Sequence, residues 1–565
     1  MIYYDNKEFE DEIKYKVYLL NKYLTKHYGK EKAIALLKKN NSNLNKLAKA
    51  LGKIDIAFFG EYYLTKFIVQ NSDNPDIRPL SKTHYEIFEE LNQIFVHNRN
   101  DKEEFILPRG MGKSLTINKL LSCWVHCYVK GRYTIVIGKT EKDSTDFIFD
   151  TKQMLNSKSI EESFGKLVDG KNRTVNKLEL ELTNNSKLSA FGAGTSVRGT
   201  TYGCLEGIFR PYLIICDDYI NSNDILTDNA KEKVINSYYN EILEVGDKGS
   251  KFLMIGTPLA QDDLINTIKN DAEFRVFHRS VLKFDADDYF SENKYWQQYK
   301  RILLNSKNED RLIDAENYYQ ENIDNMQYER LWNGKWSCTD LANKYFTKRL
   351  SFMQELMCDC DNVGDIWIKY MAKMKAEEIE GREFEKTVLT IDQGASNTHK
   401  SDYTAITILS KSNGFYLIRE GQLYKFDSKT EFDKYIDSVI FMLKKWKQIT
   451  HVFLEKNVYK GVDATRIEEK IAEDKELYTR GIIVETRYNT TNKDQRIMTI
   501  TDKINSGQII FNESNKEYNE QVFDFKGQKY SRNDDAIDSL EMAVNTIDTI
   551  QDTCKLKLLD RRLLF

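Results

Sequence analysis

The stretch FILPRGMGKSLT, residues 105–116, ends in Gly-Lys-Ser, the residue types of a phosphate-binding loop. Gly110 and Gly112 let the backbone curl so that its N–H groups face phosphate oxygens, and a helix beginning near Ser114 adds its positive N-terminal end. Lys113 is then placed to reach the β- and γ-phosphates of ATP and the Ser114 hydroxyl to ligate Mg²⁺, with Met111 a further loop residue between the glycines. The usual pattern, G-x-x-x-x-G-K-S/T, has a glycine where this chain has Leu107. Taken alone, these residues also read as a ligand-free strand-to-helix turn. Arg109, inside the loop, either swings over a γ-phosphate to stabilise transition-state charge or pairs with a nearby acid.

Two later pieces favour the nucleotide. YLIICDD (212–218) is an apolar strand ending in Asp217 and Asp218. A parallel strand delivers its last carboxylate to the sheet edge where a phosphate loop sits. Asp217 is therefore expected to hold Mg²⁺ through water, and Asp218 to orient or deprotonate the attacking water. FLMIGTP (252–258) is another apolar strand, ending in Gly256-Thr257-Pro258. In ATPases with an extra strand beside the loop, a polar residue such as Thr257 senses the γ-phosphate. Arg198, in SVRGTTYG, has no assigned role.

A second set of acids points to metal chemistry on phosphodiesters. TVLTIDQG and HVFLEKN each place a carboxylate, Asp392 and Glu455, at the end of a β-branched or apolar strand. RNDDAIDSLEMAV adds Asp534, Asp535 and Asp538. Positions four and three apart share one helix face. Clustered carboxylates are costly unless cations neutralise them. Two Mg²⁺ or Mn²⁺ ions, about 3.5–4 Å apart, would do so and activate water. Asp535 is the member of the terminal trio expected to act in catalysis; all three are candidate ligands, and which of them binds metal stays open. Each acid alone would read as a solvated surface charge. Asp402 is a possible supporting acid, and His399 reads as a loop residue. Lys456, Lys460, Arg487, Lys493 and Arg496 could track a phosphate backbone.

The elements needed to position these residues are legible as an α/β pattern. Buried-strand runs EEFILP, RYTIVIGKT, RPYLIICDD and KFLMIGTP alternate with helical stretches between about 96 and 345, which predicts a parallel sheet. From 386 onward three strands in quick succession, then strands separated by helices, predict an α/β unit with a mixed sheet. Residues 1–79 read as a polar, lysine-rich helical region, and 346–385 as a connecting segment with a charged helix. The division expected is thus 1–79, 80–345, 346–385 and 386–565. With 41% hydrophobic and 30% charged residues, the composition is that of an ordinary globular protein. A net charge of −4 gives no overall basic field, so nucleic-acid contacts must come from local patches. The eight cysteines lack zinc-site spacing and read as reduced thiols. No stretch approaches the roughly 18 apolar residues of a membrane span, and the N-terminal segment reads as no signal peptide.

The ordered set PRGMGKS, LIICDD, GTP, LTIDQG, FLEKN and NDDAIDSL resembles the large terminase subunit of tailed bacteriophages, over about residues 80–550. The resemblance implies an additional-strand, conserved-glutamate type P-loop ATPase domain followed by an RNase H-like nuclease domain. It gives Lys113, Ser114 and Asp217 the phosphate and Mg²⁺ roles, Arg109 that of an in-loop arginine, and Asp392, Glu455 and one terminal aspartate those of nuclease metal ligands. It further implies packaging of double-stranded DNA into a procapsid, cutting of concatemeric DNA, and a homo-oligomeric ring with portal and small terminase subunit as partners. Such a protein acts in the host cytoplasm and transiently at the portal. Asp218 departs from the family, which has glutamate there; either the shorter side chain suffices or another acid such as Asp224 contributes. Two other classes compete: a helicase or translocase-nuclease of DNA repair, which should carry a second set of helicase motifs, and a nucleotide-regulated scaffold without turnover.

Overall fold

The computed structural model describes residues 1–40, 43–225, 227–305, 308–360, 367–368, 370–393, 403–426, 431–455, 461–487, 493–527, 531 and 533–550. The chain divides into two units. The first comprises Met1–Tyr289 with Gln327–Leu341 and Ser351–Val363; the second comprises Phe290–Met326 with Ala342–Leu350 and Gly364–Phe565.

The first unit opens on an antiparallel strand pair, Ile2–Tyr4 with Lys7–Phe9, before its helices begin. Asp11, Asn43 and Asp55 then cap the helices Glu12–Tyr28, Leu44–Ile54 and Ile56–Tyr63 by accepting backbone N–H groups of the first turn. The unit's sheet has seven strands: β1 (Lys102–Ile106), β2 (Tyr133–Gly138), β3 (Glu179–Leu182), β4 (Ser186–Gly192), β5 (Leu213–Asp217), β6 (Lys251–Gly256) and β7 (Arg275–His278). Their order is β7-β1-β6-β5-β2-β4-β3, and every neighbouring pair is parallel except β3 with β4. Strand β6 thus lies between β1 and β5, as an additional-strand ATPase requires. Both sheet faces are buried, which explains the near-continuous apolar runs. Ile214 and Cys216 join one core with Ile135, Ile137 and Met254. The alternate residues Leu213, Ile215 and Asp217 point to the other face.

In the second unit the sheet strands are β8 (Ala372–Met374), β9 (Lys386–Asp392), β10 (Thr404–Ser412), β11 (Phe415–Tyr424), β12 (His451–Glu455), β13 (Ile483–Arg487) and β14 (Ile509–Asn512). The order is β8-β14-β11-β10-β9-β12-β13. Strands β9, β10 and β11 form an antiparallel meander, and the flanking strands add in parallel. One face carries a core of Val388, Phe453, Ile497, Ile500, Ala536, Ile537 and Leu540. The other carries Leu389, Ile391, Val452, Leu454 and the buried side of helix Phe432–Lys445. The connecting segment differs from the charged helix expected there. After the short helical turns Arg349–Phe352 and Met353–Met357, its described residues hold the edge strand β8 and the five-residue helix Ala376–Glu380, because backbone pairing of Ala372–Met374 with β14 outweighs local helix propensity.

Candidate functional sites

In the first unit, strand register decides the site. Gly256 pairs with Ile106, and Ile255 and Gly138 are both level with Asp217. Four carboxyl ends therefore meet at one edge, around a cavity of about 520 Å³ lined by Arg109, Ser114, Asn118, Asp217, Asp218 and Thr257 among others. Gly110 and Gly112 have φ of 82° and 76°, the left-handed region that the curled loop demands. The Lys113 ammonium donates to Thr257 Oγ1 at 2.7 Å and to the Leu107 carbonyl at 3.2 Å, and lies 3.5 Å from Asp218. Leu107, at the missing-glycine position, is thus a fully buried wall whose carbonyl steadies the lysine.

Asn118 lies one helical turn beyond Ser114, on the same helix face, and its Nδ2 donates to Asp217 Oδ2 at 2.9 Å. Asp217 Oδ1 is closed off from solvent and, among the described residues, outside any hydrogen bond of ordinary geometry. Burial of the carboxyl, then the charge of Asp218, raise the Asp217 pKa above its usual range despite Asn118 and Ser114. A divalent cation would relieve both effects, so the residues present fit Mg²⁺ at Ser114 and Asp217.

Sequence reasoning missed the supports of this loop. Arg109 does have an acid partner: its guanidinium donates to Glu355 at 2.8 Å, and its backbone N–H to the Glu355 carbonyl at 2.8 Å. Lys335 Nζ donates to the Gly110 carbonyl at 2.6 Å. His84 Nδ1 accepts the Ser81 N–H, which leaves its Nε2–H to donate to the Met111 carbonyl at 3.1 Å. Burial holds the His84 pKa down to about 4, so the ring stays neutral. Because C=O and the following N–H are trans in a peptide plane, the His84 bond fixes which way the Met111–Gly112 amide faces. Asn118 was findable from its spacing to Ser114. Glu355 and Lys335 lie more than 200 residues from the loop, and no sequence pattern signals them. Arg198, left unassigned, donates to the Asn240 carbonyl. The Asp224 carboxylate caps its own turn by accepting the Asn221 N–H.

In the second unit, period-two alternation on β9 puts Val388, Thr390 and Asp392 on one face, and on β12 it puts Phe453 and Glu455 on that same face. The helix Asp535–Ile547 covers it: Thr390 Oγ1 donates to the Ser539 carbonyl at 2.8 Å. Oxygens of Asp392, Glu455 and Asp538 converge to within 4.8 Å of one another. Burial, then Asp538 and to a lesser degree Glu455 and Asp535, push the Asp392 pKa well above the usual carboxylate range, although Lys493 pulls it down. The cluster therefore fits a divalent cation on its own chemistry.

Of the terminal trio, the structure brings Asp538 into this group. Asp535 lies beside it, its Oδ2 accepting the Tyr403 N–H at 3.2 Å, and Asp534 pairs with Lys493 at 2.9 Å. Among the basic residues expected to track a backbone, Lys493 and Arg496 face these acids instead, and Arg487 stacks over Phe453. His399, Asp402, Lys456 and Lys460 lie outside the described residues.

The loop geometry and topology together define an α/β chain with a P-loop unit in the additional-strand order and an RNase H-like unit, preceded by helices. No protein-family model matches the chain, and no curated protein matches it. Among solved structures, it resembles large terminases. It is similar to the large terminase of a thermophilic bacteriophage, at 14% identity over 83% of this chain and 99% of that one, with a TM-score of 0.36. The human cytomegalovirus terminase nuclease domain matches at 14% identity over 31% of this chain and 88% of that one, with a TM-score of 0.25. An ATPase-domain variant of the Thermus phage P74-26 large terminase matches at 12% identity over 47% of this chain and 92% of that one, with a TM-score of 0.26. Among the described residues, no helix is long and apolar enough to cross a membrane.

Proposed function

We propose that this chain is the ATPase and nuclease of a viral DNA-packaging motor, of the large terminase type. ATP hydrolysis in the first unit would drive double-stranded DNA into a procapsid, and the second unit would cut concatemeric DNA. The observation that carries this reading is the pairing, in one chain, of a curled Gly-Lys-Ser loop whose lysine meets Thr257 with the converging carboxylates Asp392, Glu455 and Asp538. The order of the six motifs supports it as well.

In this reading Lys113 holds the β- and γ-phosphates, Thr257 senses the γ-phosphate, and Gly110, Met111 and Gly112 supply backbone N–H groups. Ser114 and Asp217 hold Mg²⁺, Asp218 orients the attacking water, and Arg109 leaves Glu355 to meet transition-state charge. In the nuclease, Asp392, Glu455 and Asp538 hold a divalent cation, with Asp534 and Asp535 as supporting acids. A divalent cation, Mg²⁺ or Mn²⁺, supplies Lewis acidity and lowers the pKa of bound water. Portal and small terminase subunit are the partners this function requires, with a ring of copies at the portal during packaging.

Plasmid cleavage by the full chain in Mn²⁺, Mg²⁺ or EDTA, beside Asp392→Ala, tests the nuclease. Cutting that needs metal and is lost in the variant is the expected result. A folded protein that cuts in neither metal removes the nuclease from the reading. DNA-stimulated phosphate release tests the motor, and unwinding of a forked duplex would instead favour a repair helicase.

A further inference from the structure

Two basic residues reach into the acidic site from the helix Lys493–Asn505, which packs against helix Asp535–Ile547. Lys493 Nζ lies 2.9 Å from Asp534 Oδ2 and 2.8 Å from Asp538 Oδ2. Arg496 lies 3.2 Å from Asp538 Oδ1 and 2.5 Å from Glu541 Oε2. Both oxygens of Asp538 are thus in contact with a cation. The two bases are not equivalent. Arg496 makes its shorter contact with Glu541, outside the converging trio, whereas the ion pairs of Lys493 are with Asp534 and Asp538. These groups are also withdrawn from solvent, the Lys493, Arg496 and Asp538 side chains being 19%, 13% and 7% exposed. At such a site a charge contact is screened far less than on the surface.

A carboxylate has two oxygens to share. A second divalent ion that used Asp534 Oδ2 and Asp538 Oδ2 would have to expel the Lys493 ammonium, which bridges those two atoms. An ion that used Asp538 Oδ1 would instead compete with Arg496, which keeps its shorter contact with Glu541. We propose that Lys493 stands in the place of the second metal ion: the site takes one divalent cation per chain, and the Lys493 ammonium supplies the other positive charge facing the phosphodiester. This rests on the nuclease reading above. It departs from the two ions that the acid set by itself suggests. Lys493 is accordingly a charge-supplying residue of the site, and Arg496 a positioning residue that holds Asp538.

Isothermal titration of the full chain with MnCl₂, without nucleotide, tests this. The wild-type protein should bind one Mn²⁺ that Asp392→Asn removes. Lys493→Gln should then bind a second Mn²⁺, or bind the first at least ~10-fold more tightly, a change of the size seen when groups around metal ligands are altered. Lys493→Arg keeps the charge and should keep the one-ion isotherm; with the thermal melt of each variant, it separates a charge effect from loss of folding. Two Mn²⁺ in the wild type that Asp392→Asn removes, or isotherms of Lys493→Gln and wild type that coincide, would overturn the proposal while leaving the nuclease reading intact. No Mn²⁺ sensitive to Asp392→Asn would remove both.

Discussion

Asp218 sits at φ 48°, in the left-handed region that side chains with a branched or bulky β-carbon avoid. Its backbone N–H is tied to the Ile255 carbonyl at 2.9 Å, which holds that conformation. Aspartate and asparagine tolerate left-handed φ best among residues with a side chain. This gives a local reason for aspartate at a position where the resemblance to large terminases leads one to expect glutamate. Asp218→Asn keeps the backbone preference and removes the charge that faces Lys113. Its melting temperature should match the wild type, while ATP turnover falls by at least ~100-fold, the lower range for a positioned base; a colorimetric phosphate assay beside a thermal melt reads both. Arg109 calls for a similar separation. The pair with Glu355 leaves Arg109 74% exposed, and such a pair contributes at most about 1 kcal/mol. Arg109→Ala should therefore leave the melting temperature nearly unchanged. An arginine that reaches the γ-phosphate is worth about 10³ or more in turnover, so kcat for ATP should collapse while KM moves little. A variant with normal kcat would return Arg109 to the role of a surface ion pair.

Strands made much of both sites legible, because a strand's period of two ties burial to direction. TVLTIDQG and HVFLEKN announce that an acid follows an apolar run, and alternation then aims Asp392 and Glu455 at one face. Which residue of RNDDAID would meet them was not legible. Helical spacing puts Asp534 and Asp535 each on a face with Asp538, and only the packing of that helix on β9 and β10 selects Asp538. Nothing local in KFLMIG says that it inserts between β1 and β5; that placement was legible only through the order of the motifs and the resemblance they carry. Strand β1 also contains what patterning alone would reject, the fully buried acids Glu103 and Glu104. Neither Glu104 oxygen has a hydrogen-bond partner among the described residues, and burial, then Asp263, pushes its pKa up to about 9. With a folded-state pKa above the unfolded value, its favourable contribution is fully present below the unfolded pKa, near 4.5. It is lost as pH rises toward the folded value, by at most about 1.4 kcal/mol per pH unit. Glu104→Gln does not titrate. Its stability relative to wild type should climb from near pH 4.5 to near pH 9 and then level off. Parallel thermal melts across that range check this, and two curves with a constant offset would show that Glu104 is not held neutral.

At the scale of the whole molecule, the two chemistries draw on separate residues. Every residue named in the phosphate site, from His84 and Lys113 to Lys335 and Glu355, belongs to the first unit, and every acid and base of the carboxylate site belongs to the second. In the proposed function the two sites would use metal for different reasons. At Asp217 an ion would neutralise one carboxyl and its Asp218 neighbour beside a triphosphate, whereas at Asp392 it would meet several acids at once, with no nucleotide involved. Catalytic residues that share no partner should behave additively. Lys113→Ala should abolish ATP hydrolysis and leave Mn²⁺-dependent plasmid cutting within about twofold of wild type. Asp392→Asn should do the reverse. Packaging of DNA in a reconstituted system should tolerate neither lesion when concatemeric DNA is supplied. With DNA already cut to length, it should tolerate Asp392→Asn but not Lys113→Ala, since in the proposed function movement draws on the phosphate site and cutting on the carboxylates. If Asp392→Asn also stopped ATP turnover in a protein that melts normally, the two sites would have to communicate, and two independent engines would be the wrong description of this chain.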